Sequence, residues 1–222
     1  MMPRAPRQYY PMFADLTGRR CVVVGGGMVA QRKVMTLLRY GAHVTVVSPQ
    51  VTRRLAVHAR HGKIRLVERR FRPEDLRGAW LVYAATDDQA INALVHETAS
   101  RARIFTNIVD QPSLCSFIAP AILRRDPLVI AISTGGASPS LAKRLRRELE
   151  RTIGSDYARM LRLLRDLRGI AKQRLPSNND RRRYFDQLVR GRTFAFVRQG
   201  KTVAARREAL ALLKTEAKRN RN

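Results

Sequence analysis

The stretch VVVGGGMVAQRK, residues 22–33, restricts this chain more than any other. A β-branched run meets three glycines and continues with apolar residues at helical spacing, so a strand must turn sharply into a helix. Gly25, Gly27 and Ala30 fill the three small positions of G-x-G-x-x-G/A. The first glycine permits the tight turn, the second lets the backbone approach a pyrophosphate, and the third small residue lets helix and strand pack closely. Backbone N–H groups at the helix start then face phosphate oxygens. The loop predicts a dinucleotide site; the competing reading is a glycine turn that only packs the helix.

The surrounding pattern favours the first reading. RCVVV (Arg20 to Val24), HVTVV (His43 to Val47), IRLVE (Ile64 to Glu68), WLVYAA (Trp80 to Ala85) and RIFTNIV (Arg103 to Val109) read as strands. Helical stretches lie between several of them, and Asp88 is suited to cap the last. Such alternation predicts an α/β, Rossmann-like parallel sheet covered by helices on both faces. After Asp110 the pattern changes. SFIAP and LVIAIS read as a strand pair, with the turn signal RRDP between the apolar runs. Ser138 followed by Pro139 then starts a helix. The rest reads as helices: Tyr157, Met160, Leu161, Leu164 and Leu167 form one stripe, and RRRYFDQLVRG and VAARREALALLKTEAKRN are two more helical segments.

The ribose-binding acid expected at the end of the second strand is missing. That end reads VVSPQV, with Ser48, Pro49 and Gln50 and no nearby acid. No Arg takes its place immediately, although Arg53 and Arg54 are near, so the residues alone leave NAD and NADP open.

Composition narrows the partners. The formal charge is +27, and residues 139–222 carry 24 Lys and Arg against 8 Asp and Glu. Such a surface favours anionic partners, whether nucleic acid, anionic lipid or a polyanionic small molecule, against a general arginine bias with no partner at all. No apolar run reaches the roughly 18 residues of a membrane span, and MMPRAPRQYYPMF lacks the apolar core of a secretory signal. A cytoplasmic protein is expected. Cys21 and Cys115, both in strand-like apolar contexts, are expected as buried thiols. His58 and His61, three apart, are read as surface histidines, and no resident metal is expected.

GGGMVAQRKVMTLLRYGAHVTVVSP, AATDD and TNIVDQPSLCSFIAPAILRRDPLVIAISTGGASPSLAKRLRRELE together resemble the precorrin-2 dehydrogenase family, the dehydrogenase/ferrochelatase module of siroheme synthases. The resemblance runs in order over about residues 10–150, and RRRYFDQLV is similar to a segment of the family's helical part. It implies NAD-dependent oxidation of precorrin-2 to sirohydrochlorin, followed in some members by Fe²⁺ insertion to give siroheme. It implies three parts: a NAD-binding domain (1–112), a small dimerisation region (113–150) and a helical C-terminal domain (151–222), assembled as a homodimer. Cofactor contacts carry over to Gly25, Gly27, Met28, Val29, Ser48, Pro49 and Gln50. The family's aspartate falls on Asp110, and a substrate-proximal serine of some members falls on Thr134, beside Ser133. The methyltransferase domain fused in some members has no counterpart in these residues, so precorrin-2 is expected to come from elsewhere.

Asp110 ends the fifth strand, just before Gln111-Pro112. By residue pattern it is a turn residue; with the resemblance it becomes the base that takes the proton released on dehydrogenation, at the edge where open α/β sheets bind ligands. Desolvation would make it a stronger base. Precorrin-2 carries eight carboxylate side chains, so arginines and lysines near the motifs are candidate clamps: Arg124, Arg125, Lys143, Arg144 and Arg146. Two other readings stand beside this one. One is a basic, NAD-sensing regulator that binds nucleic acid, disfavoured by the absence of an aromatic RNA platform or a clear helix-turn-helix. The other is a dehydrogenase of a different anionic substrate.

Overall fold

The computed structural model describes residues 8–219 and divides into two compact units, one up to Ala119 and one from Pro120. The basic start of the chain, residues 1–7, lies outside the described residues, as do the last three. Among the described residues no helix is long and apolar enough to cross a membrane.

The first unit is a five-stranded parallel sheet: β1 (Arg20–Val24), β2 (His43–Val47), β3 (Arg65–Val67), β4 (Leu81–Ala84) and β5 (Phe105–Ile108), in the order β3-β2-β1-β4-β5. Side chains alternate between the sheet's faces. Cys21 and Val23 enter one core with Ala30, Val34 and Leu37 of α1 (Met28–Arg39) and Leu55 of α2 (Arg53–Arg60). Val22 and Val24 enter the other with Val95 and Ala99 of α3 (Gln89–Arg101). Both faces are covered, which is why the strands read as unbroken β-branched runs. Asp88 caps α3, its carboxylate accepting from the N–H groups of Ala90 and Ile91.

The second unit opens with an antiparallel hairpin, and here the expected pairing changes. The partner of β7 (Leu128–Ile132) is β6 (Ala121–Arg125), not SFIAP. Ser116 and Phe117 are already committed: both donate their backbone N–H to Thr106 O of β5, and Phe117 O accepts from the Asn107 amide. Pro120 has no N–H to offer a ladder. Nor is the hairpin left bare. Leu123 is fully buried, and α4 (Pro139–Thr152) packs on β6 within the same unit. The hairpin thus has a cover within its own unit, supplied by α4.

Ser138 caps α4 as expected, its hydroxyl accepting from Leu141 N. The chain continues through α5 (Ser155–Arg174), α6 (Asn178–Arg190), α7 (Arg192–Arg198) and α8 (Thr202–Arg219). The short helix α7 was not legible as a separate element. Its Val197 joins Met160, Leu167, Tyr184, Leu188 and Leu213 in one core. Tyr184 is fully buried and donates its hydroxyl to Ala209 O at 3.0 Å.

Tyr184→Phe removes that donor and leaves a buried carbonyl of α8 without it. We expect a loss of about 1–2 kcal/mol in urea unfolding of the full chain, with the transition of the first unit unmoved.

Candidate active site

The carboxyl edge of the parallel sheet collects the loops after β1, β2, β4 and β5, and there the three glycines have distinct tasks. Gly25 has φ +115°, and a Cβ on it would lie 2.2 Å from Ala85 O. Gly26, which the motif treats as a free position, is equally constrained: its Cβ would lie 1.9 Å from Gln50 O. A Cβ on Gly27 meets nothing within 4 Å. The first two glycines fit the loop against β4 and the β2 exit, and the third faces open space.

Hydrogen bonds fix this arrangement. Gly25 N donates to Val47 O, and Thr52 N donates to Gly26 O at 3.0 Å. The Thr52 hydroxyl donates to Gln31 Oε1 of α1 at 2.7 Å. Ser48 is buried and donates its hydroxyl to Gln50 O at 2.6 Å. Helix α1 starts at Met28 with Gly27 as its cap, so the N–H groups of Met28, Val29 and Ala30 have no acceptor within the helix. Met28 is exposed and Val29 half-buried. This is an anion cradle, and it fits a dinucleotide pyrophosphate: free donors, a positive helix end and no side chain in the way. Gly25, Gly27, Met28, Val29, Ser48, Pro49 and Gln50 thus gather at one edge.

Asp110 follows β5 at that same edge. It has φ +59°, and Gln111 N donates to Ile108 O, so Asp110 sits at the left-handed position of a tight turn. Its carboxylate is exposed. The expected desolvation is therefore not supplied, because the turn points the residue outward. The turn is fastened by Cys115, which is not in a strand as expected but ends a single 3₁₀ turn at Pro112–Leu114. Its sulfur lies 3.2 Å from both Ile108 N and Ile108 O. Cys21 is an inert core thiol, pushed up to about 11 by burial.

Lys33 was missed by the sequence reading. It lies on α1, half-buried, with Nζ 4.7 Å from the centre of the Tyr83 ring. Burial and Arg32 hold its ammonium below the ordinary lysine range, while Cys115 and Asp110 pull it back up. The only signal was its position two turns after the glycines, on the face that carries Ala30.

The remaining candidates belong to the second unit. Ser133 is exposed and its hydroxyl accepts from Gly135 N. The Thr134 hydroxyl is engaged by Ser138, accepting from its N–H and donating to its carbonyl, both at 3.1 Å. Arg124 pairs with Asp126 at 3.3 Å, and Arg125 donates to the carbonyls of Glu150 and Ile153 at the end of α4. Arg144 and Arg146 pair with Glu148 and Glu150 one turn on. Lys143 is exposed and lines a cavity of about 490 Å³ with Ser140, Arg144, Arg147, Glu148 and Arg151. His58 and His61 belong to no group of three or more metal-ligating side chains among the described residues.

The glycines separate fold from binding. Gly26→Ala should destabilise the first unit, since the backbone of Gln50 cannot move away cheaply, and thermal melting reads this. Gly27→Ala should melt like the parent chain and bind the dinucleotide more weakly in a titration, because its methyl intrudes only where a pyrophosphate would lie.

Three family models match in order. One described as putative NAD(P)-binding covers residues 12–121, one described as the central part of sirohaem biosynthesis proteins covers 125–152, and one described as the sirohaem synthase dimerisation region covers 156–213. The siroheme synthase of Nitrosospira multiformis is 44% identical over 89% of this chain and 43% of its own length. Siroheme synthase 2 of Yersinia enterocolitica is 43% identical over 82% of this chain and 38% of its own length. The chain thus spans less than half of these relatives. The solved structure of "SirC, precorrin-2 dehydrogenase" matches with a TM-score of 0.75 at 27% identity, covering 93% of this chain and 100% of that one. The parallel sheet with its dinucleotide loop, the central segment and the helical region follow one another as in these relatives, and the chain belongs to the siroheme synthase family.

Proposed function

We propose that this chain is a precorrin-2 dehydrogenase that oxidises precorrin-2 to sirohydrochlorin with NAD. The observation that carries the reading is the likeness to SirC along the whole of that chain. The anion cradle and Asp110 at one sheet edge support it. NAD bound at this edge would supply the hydride acceptor. Gly27, Met28 and Val29 would hold its pyrophosphate by backbone N–H groups, while Gly25, whose N–H is spent on Val47 O, would shape the turn beneath it. Ser48, Pro49 and Gln50 flank the adenosine end, and the committed Ser48 hydroxyl adds no charge to receive a 2′-phosphate.

Asp110 takes the proton that leaves with the hydride. In a chelatase step the same carboxylate would accept the pyrrole N–H protons released as Fe²⁺ enters as a substrate. On the substrate side the reading keeps Ser133 and Lys143, with exposed polar ends, ahead of Thr134 and Arg124, which are engaged within their unit. The chain works as a homodimer, a reading supported by the match of the dimerisation model to residues 156–213. The division at residues 112 and 150 belongs to this proposal; the resemblance puts dimerisation in 113–150, whereas the matched dimerisation model spans 156–213.

The test is an anaerobic assay with enzymatically generated precorrin-2. NAD should support faster turnover than NADP, and no turnover with either would reject the reading. Asp110→Asn should fold normally, since Asn tolerates a left-handed position as well as Asp, and should lose roughly 10²-fold in turnover. A rate within a factor of a few of the parent would leave Asp110 a turn residue only. Light scattering at micromolar concentration should give twice the chain mass.

A further inference from the structure

β5 is an edge strand, and residues 115–117 close its outer side in place of a sixth strand. Ser116 exchanges hydrogen bonds with Thr106: its N–H donates to Thr106 O at 2.8 Å, and its hydroxyl accepts from Thr106 N at 2.7 Å. Between this segment and the C-terminal half of α3 lies a cavity of about 400 Å³, a size that suits a small molecule. Ile104, Phe105 and Leu114 give it an apolar floor, while His96, Ser100, Arg103 and Ser116 give it a polar wall. Among the described residues no carboxylate lines it.

Two of the wall residues are held in unusual ways. His96 Nδ1 lies 2.9 Å from Leu114 O, which can only accept, so Nδ1 carries the proton and the ring is fixed against the segment. Arg103 follows the Ala102 cap of α3 with φ +54°. Glycine is the usual residue at such a left-handed helix end, and an arginine is strained there. Its side chain is exposed and makes no hydrogen bond or ion pair among the described residues. A strained cation without an internal partner, at the rim of a cavity that has no acid, is placed for an anion from outside.

We propose that this cavity binds a small carboxylate with an apolar body. The Arg103 guanidinium takes the carboxylate, the hydroxyls of Ser100 and Ser116 add donors, and the body lies on Ile104, Phe105 and Leu114. Such a ligand touches α3 and residues 114–116 together, so its occupancy staples that segment onto β5. The segment also holds the turn that carries Asp110, since Cys115 Sγ lies 3.3 Å from Gln111 O and Leu114 N donates to the same carbonyl at 3.0 Å. A bound carboxylate therefore steadies that turn from behind, whatever Asp110 does in the reaction.

The test is an NMR titration of the full chain, labelled with ¹⁵N-histidine, with benzoate as the probe. The chain has four histidines, and the His96 ring signals are assigned through His96→Gln. Benzoate should move the His96 signals saturably and leave those of His43, His58 and His61 in place. Acetate lacks the apolar body and benzyl alcohol the charge, so each should bind roughly 10-fold more weakly or worse. Arg103→Gly suits the left-handed backbone, so it should melt no lower than the parent chain and bind benzoate roughly 10-fold more weakly. Arg103→Asn, which tolerates the same backbone, takes its place if that variant does not fold. With benzoate at about ten times its dissociation constant, hydrogen exchange at Ser116 N–H should slow roughly 10-fold, because the segment lifts only after the ligand leaves. No saturable shift at His96, equal shifts at all four histidines, parent affinity without Arg103, or unchanged exchange at Ser116 in the saturated chain would each overturn the proposal.

Discussion

The backbone of Gly25 and Gly26 lies so close to the carbonyls of Ala85 and Gln50 that a methyl group on either would overlap them. The rest of the first unit is arranged around that approach. It locks the β1 exit to the exits of β4 and β2, and Thr52 N and the Thr52 hydroxyl complete the lock onto Gly26 and Gln31. With its start held this way, α1 has one direction available. From Gly27 to Lys33 the helix rises roughly 9 Å, so the cradle and the ammonium over Tyr83 belong to one rigid piece.

Asp110 was posed as a turn residue or a base, and the geometry makes these compatible. The left-handed position admits Gly, Asn and Asp most readily, and of the three only Asp supplies a carboxylate. Cys115 fastens the turn from behind through its contacts with Ile108, without a disulfide and without exposing the thiol. What the turn does not supply is burial. Asp110 stands exposed to solvent in this chain.

The parallel sheet, its helices and both helix caps were legible in the sequence because period-2 and period-3.6 patterns and cap residues are local signals. The hairpin was misread for a non-local reason. SFIAP has strand-like side chains, but its backbone is spent on Thr106 and Asn107 of β5, and hydrogen-bond commitments do not show in hydropathy. Gly26 was passed over because the motif counts it as variable, whereas its constraint comes from Gln50, two dozen residues on. Lys33 and the contacts by which the buried Cys115 fastens the turn were invisible in the same way, since they depend on residues the fold brings together. The glycine loop and Asp110 were found because their place at a strand end can be read directly.

The formal charge of +27 invites a search for a polyanion, but several arginines are occupied with the chain's own carbonyls. Arg125 caps the end of α4, and Arg181 donates to the carbonyls of Leu175 and Pro176 after α5. Arg159 reaches Val197 O and Arg162 reaches Asp126 O. In the first unit Arg20 ties Asp75 O and Arg77 O to the start of β1. These guanidinium groups satisfy acceptors that helix ends and loops leave over, so net charge overstates the free cationic surface. The basic side of α4 differs. Lys143, Arg147 and Arg151 stand exposed along it, while Arg144 and Arg146 spend part of their charge on Glu148 and Glu150. A polycarboxylate would find its cations there, on a single well-capped helix.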